Sequence, residues 1–262
     1  MPKLFIVGIG PGAEHMLTPQ AASALEAADD LVGYGPYLDR LPVRPHQRRH
    51  VSDNREELAR ARHALELASL GRVVAVVSGG DAGVFAMASA VFEAIESGAR
   101  SLRSLDVEVV PGVSAMFAVA ARLGAPLGND FCALSLSDNL KPWEVVQRRL
   151  TAVAHAGFVI ALYNPRSRAR PWQLRAAFTV LRGILPGHTP VVFAECVSRA
   201  QERIEVVDLA DADEERANMG TLVLIGAPTT RRIEHGGGAP WLYTPRWIEH
   251  EAGAEDESAR RA

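Results

Sequence analysis

Four times along this chain a short apolar run ends in a turn built from glycine or proline and gives way to a helix-like segment. The turns are Gly8-Ile9-Gly10-Pro11-Gly12, Ser78-Gly79-Gly80-Asp81, Pro111-Gly112-Val113-Ser114 and Tyr163-Asn164-Pro165-Arg166. Apolar runs of this length without polar alternation predict strands buried on both faces. Strands alternating with helices predict an α/β fold with mainly parallel or mixed sheets. Ligands of open α/β sheets gather beyond the carboxyl ends of the strands, which is where all four turns fall.

Local signals fill in the order. Thr18 followed by Pro19 reads as an N-cap with proline at the first helical position. Further helices are expected from Ser52-Asp53-Asn54 onward, over Val84–Ser97 and over Ala115–Leu123. A boundary falls near Leu123-Gly124, which predicts an N-terminal α/β domain over 1–123 and a second over 124–235. In the second domain, strands are expected at 131–136, 157–163, 189–194, 204–207 and 221–225, with helices at 142–155 and 172–185. Residues 236–262 read as a glycine-rich linker and a charged, solvated tail.

Composition narrows the function classes. Among 262 residues 48% are hydrophobic, enough to build a core and to exclude global disorder. A net charge of −3 lacks the basic excess of a nucleic-acid binder. The two cysteines, Cys132 and Cys196, are too few and too far apart for a disulfide framework, a redox pair or a cysteine-ligated cluster. No apolar run approaches the ~20 residues of a membrane span, so the expected location is the cytosol and no metal is expected.

The motifs are individually modest. The first turn lacks the third glycine of a dinucleotide fingerprint and the Lys-Ser/Thr of a phosphate loop. In the second, Asp81 reads equally as a cap on a helix from Val84 or as a ligand contact, while the adjacent glycines expose backbone to whatever lies beyond. Arg166, Arg168 and Arg170 follow a strongly apolar strand and suit a ligand with several carboxylates; a solvated face is the alternative. His46 and His50 read as solvent-exposed residues of a proline-bounded loop, and His15 as a surface residue. There is no Ser-His-Asp signature or G-x-S-x-G elbow.

Together, Val7–Gly12 with Leu17-Thr18, Ser78–Asp81, Pro111–Ala115 and Thr221–Gly226 resemble the ordered motif set of the tetrapyrrole methylases, over about residues 3–233. Gly33-Tyr34, Gly83–Ala88, Leu134–Asp138, Pro142–Glu144, Leu162–Ser167 and Tyr243–Arg246 are similar to the branch that methylates precorrin-3B at C(17) and contracts the ring on the way to cobalamin. Ala82 and Phe85 depart from that pattern, where proline and tyrosine are common. Glu195–Gln201 also lacks the usual Gly-Arg stretch.

The resemblance implies a cleft between two α/β domains holding S-adenosyl-L-methionine, or S-adenosyl-L-homocysteine as product. Its contacts would be Pro11, Gly79, Gly80, Asp81, Val84, Ser114, Ala115, Tyr163, Cys196, Val197 and Thr221. A tetrapyrrole substrate would meet Lys141, Asn164, Arg166, Arg168 and Arg170, and a homodimer is implied. In sirohaem-type relatives an aspartate credited with acid/base work occupies the place of Tyr34. Tyr34 and Asp138 are therefore the catalytic candidates, with His15 or a water as alternatives and a packed ring as the other reading of Tyr34. Rival activities are methylation of a cobalt-containing substrate or of another ring position, or non-catalytic pigment carriage.

Overall fold

The structure, a computed structural model, describes residues 2–54 and 56–247. The first half runs β1 (Lys3–Gly8), α1 (Pro19–Ala27), β2 (Asp30–Tyr34), α2 (Gly35–Leu38), β3 (Arg48–Ser52), α3 (Glu57–Ser69), β4 (Val73–Ser78), α4 (Met87–Ser97), β5 (Val107–Val110) and α5 (Ala115–Leu123). The five strands form one parallel sheet in the order β3-β2-β4-β1-β5. Its centre, β1 and β4, is the most apolar part, as strands covered on both faces require. The Thr18 side chain caps α1 by accepting from the Ala21 N–H at 3.1 Å.

The second half adds β6 (Gly124–Ala125), β7 (Phe131–Ser135), α6 (Trp143–His155), β8 (Val159–Tyr163), α7 (Gln173–Arg182), β9 (Pro190–Glu195), β10 (Arg203–Asp208), β11 (Thr221–Ile225), β12 (Arg231–Ile233) and β13 (Trp241–Tyr243). Its sheet is mixed, in the order β10-β9-β11-β8-β7, with only β7 and β8 parallel. Helices α6 and α7 bury Val146, Leu150, Leu174 and Phe178 on one face of this sheet. The other face is covered by α5, whose Met116, Val119 and Leu123 pack on Ala161, Val192 and Leu224. The last helix of the first half is thus core for the second, which ties the two sheets together.

Several expectations are corrected. Helix α4 starts at Met87 rather than Val84, and Ala86 precedes it with no side-chain cap, so Asp81 does not cap it. The helix expected from Ser52–Asn54 begins at Glu57. The presumed loop around His50 is the edge strand β3. Its His50 is half-buried, with Nε2 2.9 Å from Asp30 Oδ1 and Nδ1 2.9 Å from His63 Nε2. Part of the presumed linker is β13, which pairs with β12 and β6 and buries Leu242. The expected tail over 249–262 lies outside the described residues.

Candidate functional site

The carboxyl ends of β1, β4 and β5 meet in one seam of backbone. Gly10 and Gly80 pair across it through two N–H···O bonds of 3.0 and 2.9 Å. A Cβ on Gly112 would sit 2.3 Å from Gly80 O and 2.6 Å from Gly8 O, so no side chain fits there. Gly80 is different. Its φ of +67° requires glycine, yet a Cβ on it would meet nothing nearer than 3.9 Å, the backbone of Ser114 and Ala115. Open space therefore lies over Gly80, bordered by the N-terminus of α5.

Side chains stiffen this seam. Asp81 accepts from Gly83 N–H at 2.8 Å and from Gly112 N–H at 3.0 Å, so its carboxylate ties the second turn to the third. Tyr163, arriving from the end of β8, places its hydroxyl 2.5 Å from Ser114 Oγ and accepts from Met116 N–H at 3.2 Å. It thereby satisfies one of the orphan donors of α5. Burial raises the Tyr163 phenol above its ordinary pKa despite those two bonds, so it stays neutral. The Phe85 ring lies 5.4 Å from that of Tyr163.

The described non-glycine residues with positive φ all follow the carboxyl ends of β4, β8 or β9: Phe85 (+51°), Asn164 (+52°), Cys196 (+49°) and Ser198 (+64°). Such conformations cost about 1–3 kcal/mol each and gather at ligand sites. Asn164 Nδ2 donates to Ser135 Oγ at 2.9 Å. Cys196 N–H donates to Gly220 O at 3.1 Å, and Ser198 Oγ lies 3.1 Å from Met16 Sδ. The loop after β9 thus sits against the first glycine turn, with Val197 buried beneath it.

Of the residues expected to contact a donor, Pro11, Gly79, Gly80, Asp81, Val84, Ser114, Ala115 and Tyr163 belong to one seam. Cys196 and Val197 lie on the loop after β9, with Cys196 bonded to Gly220 and Val197 packed in the core cluster against which Met16 rests. Thr221, next to them on β11, spends its hydroxyl on Asn218, accepting from N–H at 3.0 Å and donating to Oδ1 at 3.3 Å.

The basic loop splits. Arg166 is held by Glu215 at 2.5 Å and Arg168 is exposed. Arg170 is only 7% exposed and donates to Asn164 O at 3.1 Å, so it braces the loop rather than facing a ligand. Lys141 is half-buried, and burial, helped by nearby Arg149, lowers its pKa. Both Asp138 oxygens accept from Nε2 of the buried Gln173, at 3.1 and 3.0 Å. Tyr34 ends β2 with its ring edge-to-face on Tyr37 at 5.4 Å, lining a shallow cavity of about 350 Å³ with Val51 and Asp53.

Tyr37, with Leu38, belongs to the family pattern that follows Gly33-Tyr34, whereas Arg40 and Arg199 escape sequence reasoning. The Tyr37 ring lies where a Cβ on Gly79 would be, at 2.8 Å. Arg40 and Arg199 both donate to the carbonyls of the first turn: Arg40 Nη2 to Gly10 O at 2.8 Å, Arg199 Nε to Pro11 O at 3.0 Å. Nothing local marks them, because each is placed by chain distant in sequence. Among the described residues no group of three or more His, Cys, Asp or Glu could hold a metal, and no helix is long and apolar enough to cross a membrane.

The two sheets thus share α5, and Tyr163 reaches from the mixed sheet to the N-terminus of that helix, beside the glycine seam of the parallel sheet. The chain belongs to the tetrapyrrole (corrin/porphyrin) methylases, whose family model matches residues 3–213. It is 57% identical to a precorrin-3B C(17)-methyltransferase from Sinorhizobium over 93% of this chain and 96% of that one. The crystal structure of the methyltransferase CobJ superposes with a TM-score of 0.89 at 46% identity, covering 94% of this chain and 100% of the other. A uroporphyrin-III C-methyl transferase from Thermus thermophilus, solved in complex with S-adenosyl homocysteine, shares the fold at 23% identity and a TM-score of 0.64, over 86% of this chain and 97% of its own.

Proposed function

We propose that this chain methylates precorrin-3B at C(17) with S-adenosylmethionine and supports contraction of the ring in cobalamin biosynthesis. The observation that carries the reading is the full-length similarity to the Sinorhizobium enzyme, which spans both sheets and every turn of the cleft. The cradle fits the donor in its own right. The space over Gly80 is bordered by the backbone of Val113, Ser114 and Ala115, with no cation or thiolate needed to hold a neutral adenosyl group.

When bound, the donor supplies an electrophilic methyl on a sulfonium and leaves as a neutral thioether. The protein accordingly needs no nucleophile, and its contribution is alignment. Gly79, Gly80, Ser114 and Ala115 present main chain to the donor. Asp81 and Tyr163 hold that main chain still, and Val84, Pro11, Cys196, Val197 and Thr221 complete the walls. Asn164, Arg166, Arg168 and Lys141 receive the macrocycle at the opposite rim.

Contraction requires a hydroxyl on the macrocycle to lose its proton. In this reading Asp138, oriented by Gln173, accepts it, with His15 or a water as the alternative base, and Tyr34, whose hydroxyl bonds to nothing in the described structure, orients the hydroxyl. Tyr34→Phe is expected to accumulate methylated, uncontracted macrocycle, as read by mass and absorbance; wild-type yield of contracted product leaves Tyr34 as a wall. The reading also carries a homodimer in the cytoplasm, supported by the exposed Phe117–Phe131 pair and tested by light scattering.

Incubating the purified chain with S-adenosylmethionine and precorrin-3B, with and without cobalt in the macrocycle, tests the reading as a whole. One methyl added to the metal-free substrate supports it. Transfer only to the cobalt form, or pigment binding without turnover, overturns it.

A further inference from the structure

We propose that Arg40 and Arg199 form a carboxylate-binding subsite at the first glycine turn; the choice of ligands rests on the function proposed above. Arg40 comes from the turn after α2 and Arg199 from the loop after β9, so the two guanidinium groups converge on Gly10-Pro11 from opposite sheets. Each spends a donor on a carbonyl of that turn, and Arg40 Nη2 also reaches Ile9 O at 3.3 Å.

The rest of Arg40 is unsatisfied. Its Nε and Nη1 are buried and have no hydrogen-bond partner. No carboxylate pairs with Arg40 or Arg199 among the described residues; the buried Arg60 likewise has none, but each of its three nitrogens has an acceptor, in Ser52, Met87 and Asp53, whereas two of the three in Arg40 have nothing. Burial lowers the Arg40 pKa to about 10, with the charge of Arg199 adding to the effect, so it remains a cation at neutral pH.

A guanidinium with buried, unpartnered nitrogens is costly, and the charge of the exposed Arg199 nearby raises the cost. A purely structural brace for Gly10 would not need a charge: an amide could make the same bond. Two like charges kept together suit an anion that brings its own acceptors. The planar donor fork of each matches a carboxylate. The proposed function supplies two carboxylate sources, an acetate or propionate arm of the macrocycle and the methionyl end of the donor.

The experiment measures S-adenosylhomocysteine binding by calorimetry and uroporphyrin III binding by fluorescence quenching in the full chain. The variants are Arg40→Gln, Arg40→Lys and Arg199→Gln. If the macrocycle arm docks here, Arg40→Gln weakens uroporphyrin about tenfold and flattens its salt dependence, while Arg40→Lys recovers part of the loss and the homocysteine product is unaffected. If the donor docks here, the same pattern appears for S-adenosylhomocysteine alone. A brace for the turn would leave the salt dependence intact.

Unchanged affinity for both ligands, or losses with unchanged salt dependence, overturns the subsite. Should Arg40→Gln not fold, Arg199→Gln and Arg40→Lys decide by the same criteria. A wild type that binds neither ligand removes the proposed function and this subsite together, whereas wild-type binding that the variants leave untouched removes the subsite alone.

Discussion

The two rims of the cleft solve the same geometric problem by different means. On the parallel sheet, left-handed backbone falls on glycine at Gly10 and Gly80, with Phe85 the exception, and the side chains around the two glycines act on main chain. On the mixed sheet, Asn164, Cys196 and Ser198 adopt the left-handed conformation with side chains attached. The glycine rim is strained at one residue, Phe85, and presents backbone. The opposite rim is strained at three and presents functional groups. Under the proposed function, the first suits a ligand whose identity is constant and the second can be tuned to a particular macrocycle.

The sharpest way to break the glycine rim is Gly112→Ala. The new Cβ would meet two carbonyl oxygens that belong to backbone and cannot swing away. A loss of about 3 kcal/mol in urea unfolding is expected, with donor binding abolished. Gly80→Ala is the control, because its Cβ would enter open space and only the positive φ is penalised, at about 1–2 kcal/mol. Equal stability losses would show that the seam is not close-packed at Gly112.

Tyr163 joins the rims, and its removal tests whether they act as a unit. Tyr163→Phe leaves Met116 N–H and Ser114 Oγ without their partner, at an expected cost of about 1–3 kcal/mol. The raised phenol pKa adds a pH signature. Its contribution is complete below the unfolded value, about 10, and is lost as pH rises through the folded value, because the native chain holds a proton that the unfolded chain has released. Wild-type stability should fall above that pH more steeply than that of Tyr163→Phe. Parallel curves would remove the buried phenol from the account.

The strained rim is tested within its own basic loop. Arg170→Ala should destabilise the chain by about 1–2 kcal/mol, since the side chain is buried and braces Asn164 O. Arg168→Ala should change stability by less than about 0.5 kcal/mol and instead raise the apparent substrate constant while sparing that of the donor. Unchanged steady-state constants would make Arg168 a solvated surface group.

What sequence reasoning reaches follows the same division. Gly10, Gly80 and Gly112 are legible because the backbone demand is written in the residue itself, and apolar runs such as Val73–Val77 announce their strands. Strand β3 is hidden by its own composition: Arg48–Ser52 is polar because it lies at the sheet edge, with His50 turned to the buried Asp30. Strand β13 is too short to carry a period. Arg40 and Arg199 cannot be read locally, because their meaning is a meeting of chain segments about 160 residues apart. Of the strained residues only Asn164 belongs to a type that tolerates positive φ.

That makes Asn164→Gly the finest test of the comparison, with opposing effects on stability that nearly cancel. Glycine relieves the +52° backbone, a gain of about 1 kcal/mol. Against this stand the lost bond to Ser135 Oγ, worth about 1 kcal/mol, and the extra freedom of glycine in the unfolded chain, worth about 0.5–1 kcal/mol. The sum is a loss of no more than about 1 kcal/mol, so the variant should fold and bind S-adenosylhomocysteine as the wild type does. If the strain is kept in order to aim the Asn164 amide at the macrocycle, the substrate constant should rise severalfold in spite of the intact fold. If the variant turns over substrate normally, the left-handed turn at Asn164 serves the chain reversal after β8, and the distinction between a backbone rim and a side-chain rim fails at that position.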